Sequence, residues 1–177
     1  MRKLKNSELN RIDVDTFKST NKTPLIIVLD NIRSLSNIGS IFRTSDAFLI
    51  DEILLCGITA TPPHREIHKT ALGAEESVNW KYFEDTIDAL TYLKEKDFTT
   101  LAIEQAENAT MLNNFIPEKD NKYAFILGNE VKGVRQDVIY AADGCIEIPQ
   151  FGTKHSLNVS ITGGVIIWDF FVKTTSV

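Results

Sequence analysis

The chain has 177 residues, 43% of them hydrophobic and 24% charged, with a formal net charge of -5. That length fits one domain with a real core, and the composition is that of an ordinary globular protein. No apolar run reaches membrane-span length, because Gly163 and Gly164 precede a short C-terminal run broken by Asp169. The N-terminus carries no apolar signal core, so a cytoplasmic protein is expected.

The net acidity argues against indiscriminate nucleic-acid binding, for which a strongly basic face is expected. It leaves a structured RNA open, since Arg33, Arg43, Arg65, Lys69, Lys132, Arg135 and Lys154 fall in or near loops of interest. The only two cysteines, Cys56 and Cys145, sit in apolar runs and read as buried thiols rather than a disulfide or a metal site.

In chain order, residues 1–23 form a polar extension, a tail or short helical arm, ahead of a domain over 24–177. Leu25 to Leu29 is a short β-branched apolar run that suits a strand buried on both faces. Asn37 to Leu49 has helical spacing, with Ile38, Ile41 and Phe42 inward. Strands follow at 53–56 and 80–83, separated by a loop over 59–70 that contains Pro62-Pro63. An amphipathic helix over 84–96, a strand at 98–103, an irregular connection over 108–121 and a strand at 123–127 come next. A helix over 135–142, a strand at 146–148 and a final helix over 157–171 complete the chain. The alternation predicts an α/β fold with a mostly parallel sheet covered by helices on both faces.

No G-x-G-x-x-G follows the first strand and no phosphate-binding P-loop occurs. Glycine turns come late instead, at Gly128, Gly133 and Gly152, which places a pocket in the C-terminal half. Three polar segments follow strands: Asn37 to Arg43 after Leu29, Gly128 to Gly133 after Leu127, and Ser156 to Ser160 after Ile148. In such sheets ligands sit beyond the carboxyl ends of the strands.

Each residue also has a plain reading. Asn37 suits a helix N-cap, Arg43 a solvated helix face, Gly128 a strand-ending turn, and Glu130 a cap or a loop anchor. His155-Ser156 lacks the elbow of a hydrolase nucleophile. His64-Arg65-Glu66-Ile67-His68 is not H-E-x-x-H and has no evident third ligand.

Taken in order, Asn37-Ile38-Gly39-Ser40-Ile41-Phe42-Arg43, Leu127-Gly128-Asn129-Glu130-Val131-Lys132-Gly133 and Ser156-Leu157-Asn158-Val159-Ser160 resemble the three motifs of the SpoU/TrmH family of RNA 2′-O-ribose methyltransferases, in the SPOUT superfamily. The resemblance runs from about Leu25 to Trp168, and Lys69-Thr70-Ala71-Leu72-Gly73-Ala74 looks like its TrmH branch. It implies a C-terminal trefoil knot, S-adenosylmethionine bound at that knot, a homodimer, and tRNA or rRNA as substrate. By motif match it casts Arg43, Asn37, Glu130, Ser156 and Asn158 as catalytic. Leu127, Gly128, Ile148, Leu157 and Asn158 would hold the cofactor, and no metal is expected.

An arginine hardly ever gives up its proton, so Arg43 is read as a clamp on a phosphate and the reacting hydroxyl rather than as a base. Members of the family often end the first motif helix with a glycine after Asp-Ala-x; here that position is Leu49, read as a packing difference. Two competing functions are a non-catalytic RNA-binding or assembly factor on the same scaffold and an unrelated small-molecule enzyme. The first is weakened by the presence of all five polar residues, which a binding module does not need.

Overall fold

The computed structural model describes residues 1–175. Seven strands form one sheet in the order β3-β2-β1-β6-β4-β7-β5, and every ladder in it is parallel. They are β1 (Thr23–Asp30), β2 (Ile50–Cys56), β3 (Asn79–Phe83), β4 (Phe98–Ile103), β5 (Thr110–Met111), β6 (Lys122–Leu127) and β7 (Gly144–Glu147). The helices are α1 (Val14–Ser19), α2 (Leu35–Ala47), α3 (Arg65–Ala71), α4 (Ala74–Ser77), α5 (Thr86–Lys94), α6 (Gln136–Ala141) and α7 (Val159–Thr174).

Parallel strands need crossover connections, which lay helices on both faces and leave the central strands dry on both sides. In β1, Leu25, Ile27 and Leu29 join one core with α2, α3 and α7, while Ile26 and Val28 join a second core with α5 and α6. The same alternation in β6 sends Phe125 and Leu127 to the first core and Ala124 and Ile126 to the second. The segment before β1 ends in α1, capped by Asp13, with Phe17 buried in the first core.

Three expectations are corrected. The stretch 59–70 is not all loop: α3 begins at Arg65, with Ile67 and Ala71 packed into the first core. The two prolines hid it, because the helix starts immediately after them and is only seven residues long. Second, the helix of the first motif starts at Leu35 and its N-cap is Ser34, whose side chain accepts the Asn37 N–H. Asn37 is therefore inside the first turn and its amide is free for other partners. Third, Leu49 has φ 53, a left-handed backbone that glycine adopts without cost. The departure there is one of backbone strain as well as packing.

Candidate active site

Beyond the carboxyl ends of β6, β4 and β7 lies an open cleft of about 1200 Å³. Leu127, Ile103 and Ile148, at or just past those strand ends, supply apolar walls, with Leu157 at the opposite lip. The loops 128–134 and 150–158 form its sides. The Gln105 amide donates to the His155 carbonyl at 2.7 Å and ties the second loop to the end of β4.

Residues distant in sequence meet at the mouth of this cleft. The Glu130 carboxylate accepts the Arg33 N–H (3.0 Å), the Ser34 N–H (2.9 Å) and the Asn37 side-chain amide (3.1 Å). Asn37 in turn accepts from the Asn158 amide at 3.2 Å. The other end of the Asn158 side chain caps α7, accepting from Ser160 N–H at 2.9 Å and Ile161 N–H at 3.3 Å. Each of the three motifs thus gives one residue to a single chain of hydrogen bonds, and two of them also fix a helix start. Partial burial pushes the Glu130 carboxyl up, but the donors of Arg33, Ser34 and Asn37 outweigh it and hold it below the usual glutamate range. An ionised carboxylate saturated with donors holds a loop well and accepts a proton poorly.

The loop after β6 is folded back on its own first residue. A Cβ on Gly128 would lie 2.6 Å from the Gly133 carbonyl oxygen and closer still to Val134 N. Gly133 has φ +68, and a side chain there would run into the Glu104 carboxylate. That carboxylate accepts Val134 N–H at 3.0 Å and Gln105 N–H at 2.9 Å, latching the loop to β4. Asn129 adds a second latch: its amide donates to the Asn31 carbonyl at 2.7 Å, while its oxygen accepts from Val131 and Lys132. Sequence alone assigns no role to Glu104 or, within its motif, to Asn129. The available signal for Glu104 was its place, an acid immediately after a buried parallel strand. Below the loop the fully buried Asp30 accepts Thr86 Oγ1 (2.6 Å) and Arg135 N–H (3.0 Å).

Of the remaining motif residues, Ser156 and Leu157 line the cleft and are exposed, and Ile148 and Gly128 line it half-buried. Arg43 does not line it. It sits on the exposed face of α2, six residues past Asn37, which is about 9 Å along the axis and about 120° around it. His64 and His68 do not converge on a metal: His64 caps α3, and His68 pairs with Glu75. Among the described residues no group of three or more His, Cys, Asp or Glu is placed to hold one. No helix there is long and apolar enough to cross a membrane.

The SpoU rRNA Methylase family model matches residues 24–168. The chain belongs to that family. Similar curated relatives include the tRNA (guanosine(18)-2′-O)-methyltransferase of Thermus thermophilus, 29% identical over 92% of this chain and 82% of the relative. A 23S rRNA (guanosine-2′-O-)-methyltransferase of Neisseria meningitidis is 26% identical over 86% of this chain, which spans only 60% of that relative's length. Among solved structures, the A. aeolicus TrmH/SpoU tRNA modifying enzyme superposes with TM-score 0.78 at 22% identity, over 90% of this chain and 81% of that one. The SpoU methyltransferase AviRb of Streptomyces viridochromogenes, solved in complex with AdoMet, gives TM-score 0.77 at 18% identity, over 90% and 63%. At these identities the structures establish the fold, an α/β domain with a parallel sheet flanked by helices.

Proposed function

We propose that this SpoU-family chain transfers the methyl group of S-adenosylmethionine to a ribose 2′-hydroxyl of structured RNA, tRNA or rRNA. The observation that carries the reading is the Glu130–Asn37–Asn158 chain, which draws all three motifs to one cleft mouth. The cleft suits the cofactor: apolar Leu127, Ile148 and Leu157 flank a flat base, while Gly128 and Asn158 offer polar groups beside them. The bound cofactor supplies an electrophilic methyl on a sulfonium. The protein's own part is positioning, which can account for a large share of a rate. Glu130 and Asn158 fix the loop and helix ends that border the cleft, and Ser156 presents a hydroxyl from its lip.

Arg43 serves as the clamp on the RNA phosphate and the reacting hydroxyl. Because it does not line the cleft of its own chain, this role goes together with a homodimer that brings a partner's cleft to it. The face for that dimer is carried by α7, where Ile161, Val165, Trp168 and Val172 are exposed at i, i+4, i+7 and i+11. Trp168 packs on Phe48 at the end of α2, 5.6 Å between ring centroids, so the stripe borders the Arg43 face. The trefoil crossing of 127–134 with 148–158, the division at residue 23 and a cytoplasmic location belong to the same reading.

The test is methyl transfer from labelled S-adenosylmethionine to separate unmodified tRNA and rRNA pools, with digestion to nucleosides and Arg43→Ala as control. Label in a 2′-O-methyl nucleoside, lost in the variant, is the expected result. Binding of both cofactor and RNA without transfer to any pool would favour the assembly-factor reading.

A further inference from the structure

A second cavity, of about 490 Å³, lies away from the cleft between α3, α4 and the start of β3. Its walls are Pro62, Pro63 and the half-buried indole of Trp80, with Arg65 exposed at its rim. Glu75 also faces it. That side chain is 10% exposed; one carboxylate oxygen meets His68 Nδ1 at 2.5 Å, and the other is buried with no partner. An unpaired buried acceptor costs free energy and calls for a donor, from water, an ion or a ligand; Ser45 Oγ is a second such atom, but Glu75 is the one beside a cavity.

We propose that this cavity takes a guanine base of the RNA, from a nucleotide other than the one methylated, with the base stacked on Trp80 and its N–H edge on Glu75. The chemistry of the lining selects it. A carboxylate oxygen only accepts, so the ligand must bring a donor. Trp80 and the proline rings call for a flat partner, as in recognition of unstacked bases. Guanine presents two adjacent donors, N1–H and the 2-amino group, on one edge. In adenine and cytosine the exocyclic amine stands beside a ring acceptor, and in uracil the N–H lies between two carbonyls, so each turns lone pairs toward Glu75. Of the two exposed charged side chains that line the cavity beside Glu75, Arg65 matches the backbone phosphate in charge and Glu76 opposes it, so the phosphate belongs on the Arg65 side. Cavity and cleft are carried by neighbouring elements, since Thr70 of α3 donates to the Ser36 carbonyl of α2, one residue before Asn37. The inference rests on RNA as the substrate but not on catalysis.

The experiment uses the full chain. Tryptophan fluorescence is titrated with GMP, IMP, AMP and UMP, first on the wild type, then on Trp80→Phe and Glu75→Met. GMP is expected to quench at a concentration lower than IMP or AMP by about 5-fold or more, the lower end of what a good base-edge contact discriminates. Trp80→Phe should remove the response. Glu75→Met should remove the preference and weaken binding of an unmodified RNA that contains guanine; because it also deletes the His68 contact, its Tm is compared with that of His68→Ala, which loses that contact alone and should keep the GMP preference. Equal quenching by all four nucleotides, a GMP preference that survives in Glu75→Met, or unchanged RNA affinity in that variant would each overturn the inference. Methyl transfer by the wild type is scored separately. An active enzyme with an unselective cavity defeats this inference alone, and a guanine-selective protein that methylates nothing defeats the catalytic reading alone.

Discussion

Replacing Gly128 by alanine tests the site's construction at its tightest point. The new Cβ would stand 2.6 Å from Gly133 O and closer still to Val134 N, where ordinary contact begins near about 3.4 Å, so residues 133–134 must move by at least about 1 Å. They are not free to do so. Val134 N–H is held by Glu104 at 3.0 Å, Gly133 and Asn129 exchange backbone hydrogen bonds of 2.8 and 3.0 Å, and Arg135 N–H is held by Asp30 at 3.0 Å. Stretching two or three of these at about 1 kcal/mol each, with about 1 kcal/mol of overpacking, gives about 3 to 4 kcal/mol. For a chain of this size that lowers Tm by about 6 to 16 °C. Thermal unfolding followed by circular dichroism measures it, with calorimetric titration of S-adenosylmethionine on the folded variant. Gly152→Ala is the control: no atom lies within 4 Å of its Cβ position, and its Tm should stay within about 2 °C. A Gly128→Ala protein that melts with the wild type and binds cofactor equally would refute the folded-back loop and the cleft built on it.

Glu130→Gln removes the charge from an acceptor of three donors and should cut methyl transfer by at least about 10-fold while the fold survives. Its pH dependence has a definite sign. The Glu130 pKa is lowered in the folded state, so its contribution is complete above the unfolded value of about 4.3 and is lost as pH falls through the lower folded value. The stability of Glu130→Gln should therefore fall less steeply than wild type below about pH 4.3, as acid titration at fixed temperature would show. Asn37→Ala and Asn158→Ala should couple in a double-mutant cycle of kcat/KM, because they share one hydrogen bond; strict additivity would show that the chain of contacts does not act as a unit. Cys56 is fully buried, and burial pushes its thiol up to about 12, so it should resist maleimide in native protein at pH 8 and react only after unfolding. On the proposed homodimer, Trp168→Glu places a charge in the exposed α7 stripe and should sediment as a monomer where the wild type sediments as a dimer, with methyl transfer lost; a wild type that sediments as a monomer would refute the dimer.

The sequence alone makes the layers legible. Runs such as Leu25 to Leu29 and Tyr123 to Leu127 are apolar at every position because both faces of a parallel strand are dry, and that alone implies helices on either side. It also determined where the polar motifs fall, after the ends of β1, β6 and β7. What it left open was partnership. Asn37 reads as a cap from its sequence, whereas in the fold Ser34 takes that duty and the Asn37 amide turns to Glu130, 93 residues away. Glu104 carries no motif, and its importance arises because β4 inserts beside β6 and sets its carboxylate against the Gly133 turn. Arg43 keeps helical periodicity yet is exposed and does not line its own chain's cleft, since rotation about α2 is set by packing of Ile38, Ile41 and Phe42 rather than by site chemistry. Local pattern records which face of an element is buried. Which distant donor meets which acceptor is decided by strand order and loop closure, and the chemistry-bearing contacts here span 93 and 121 residues.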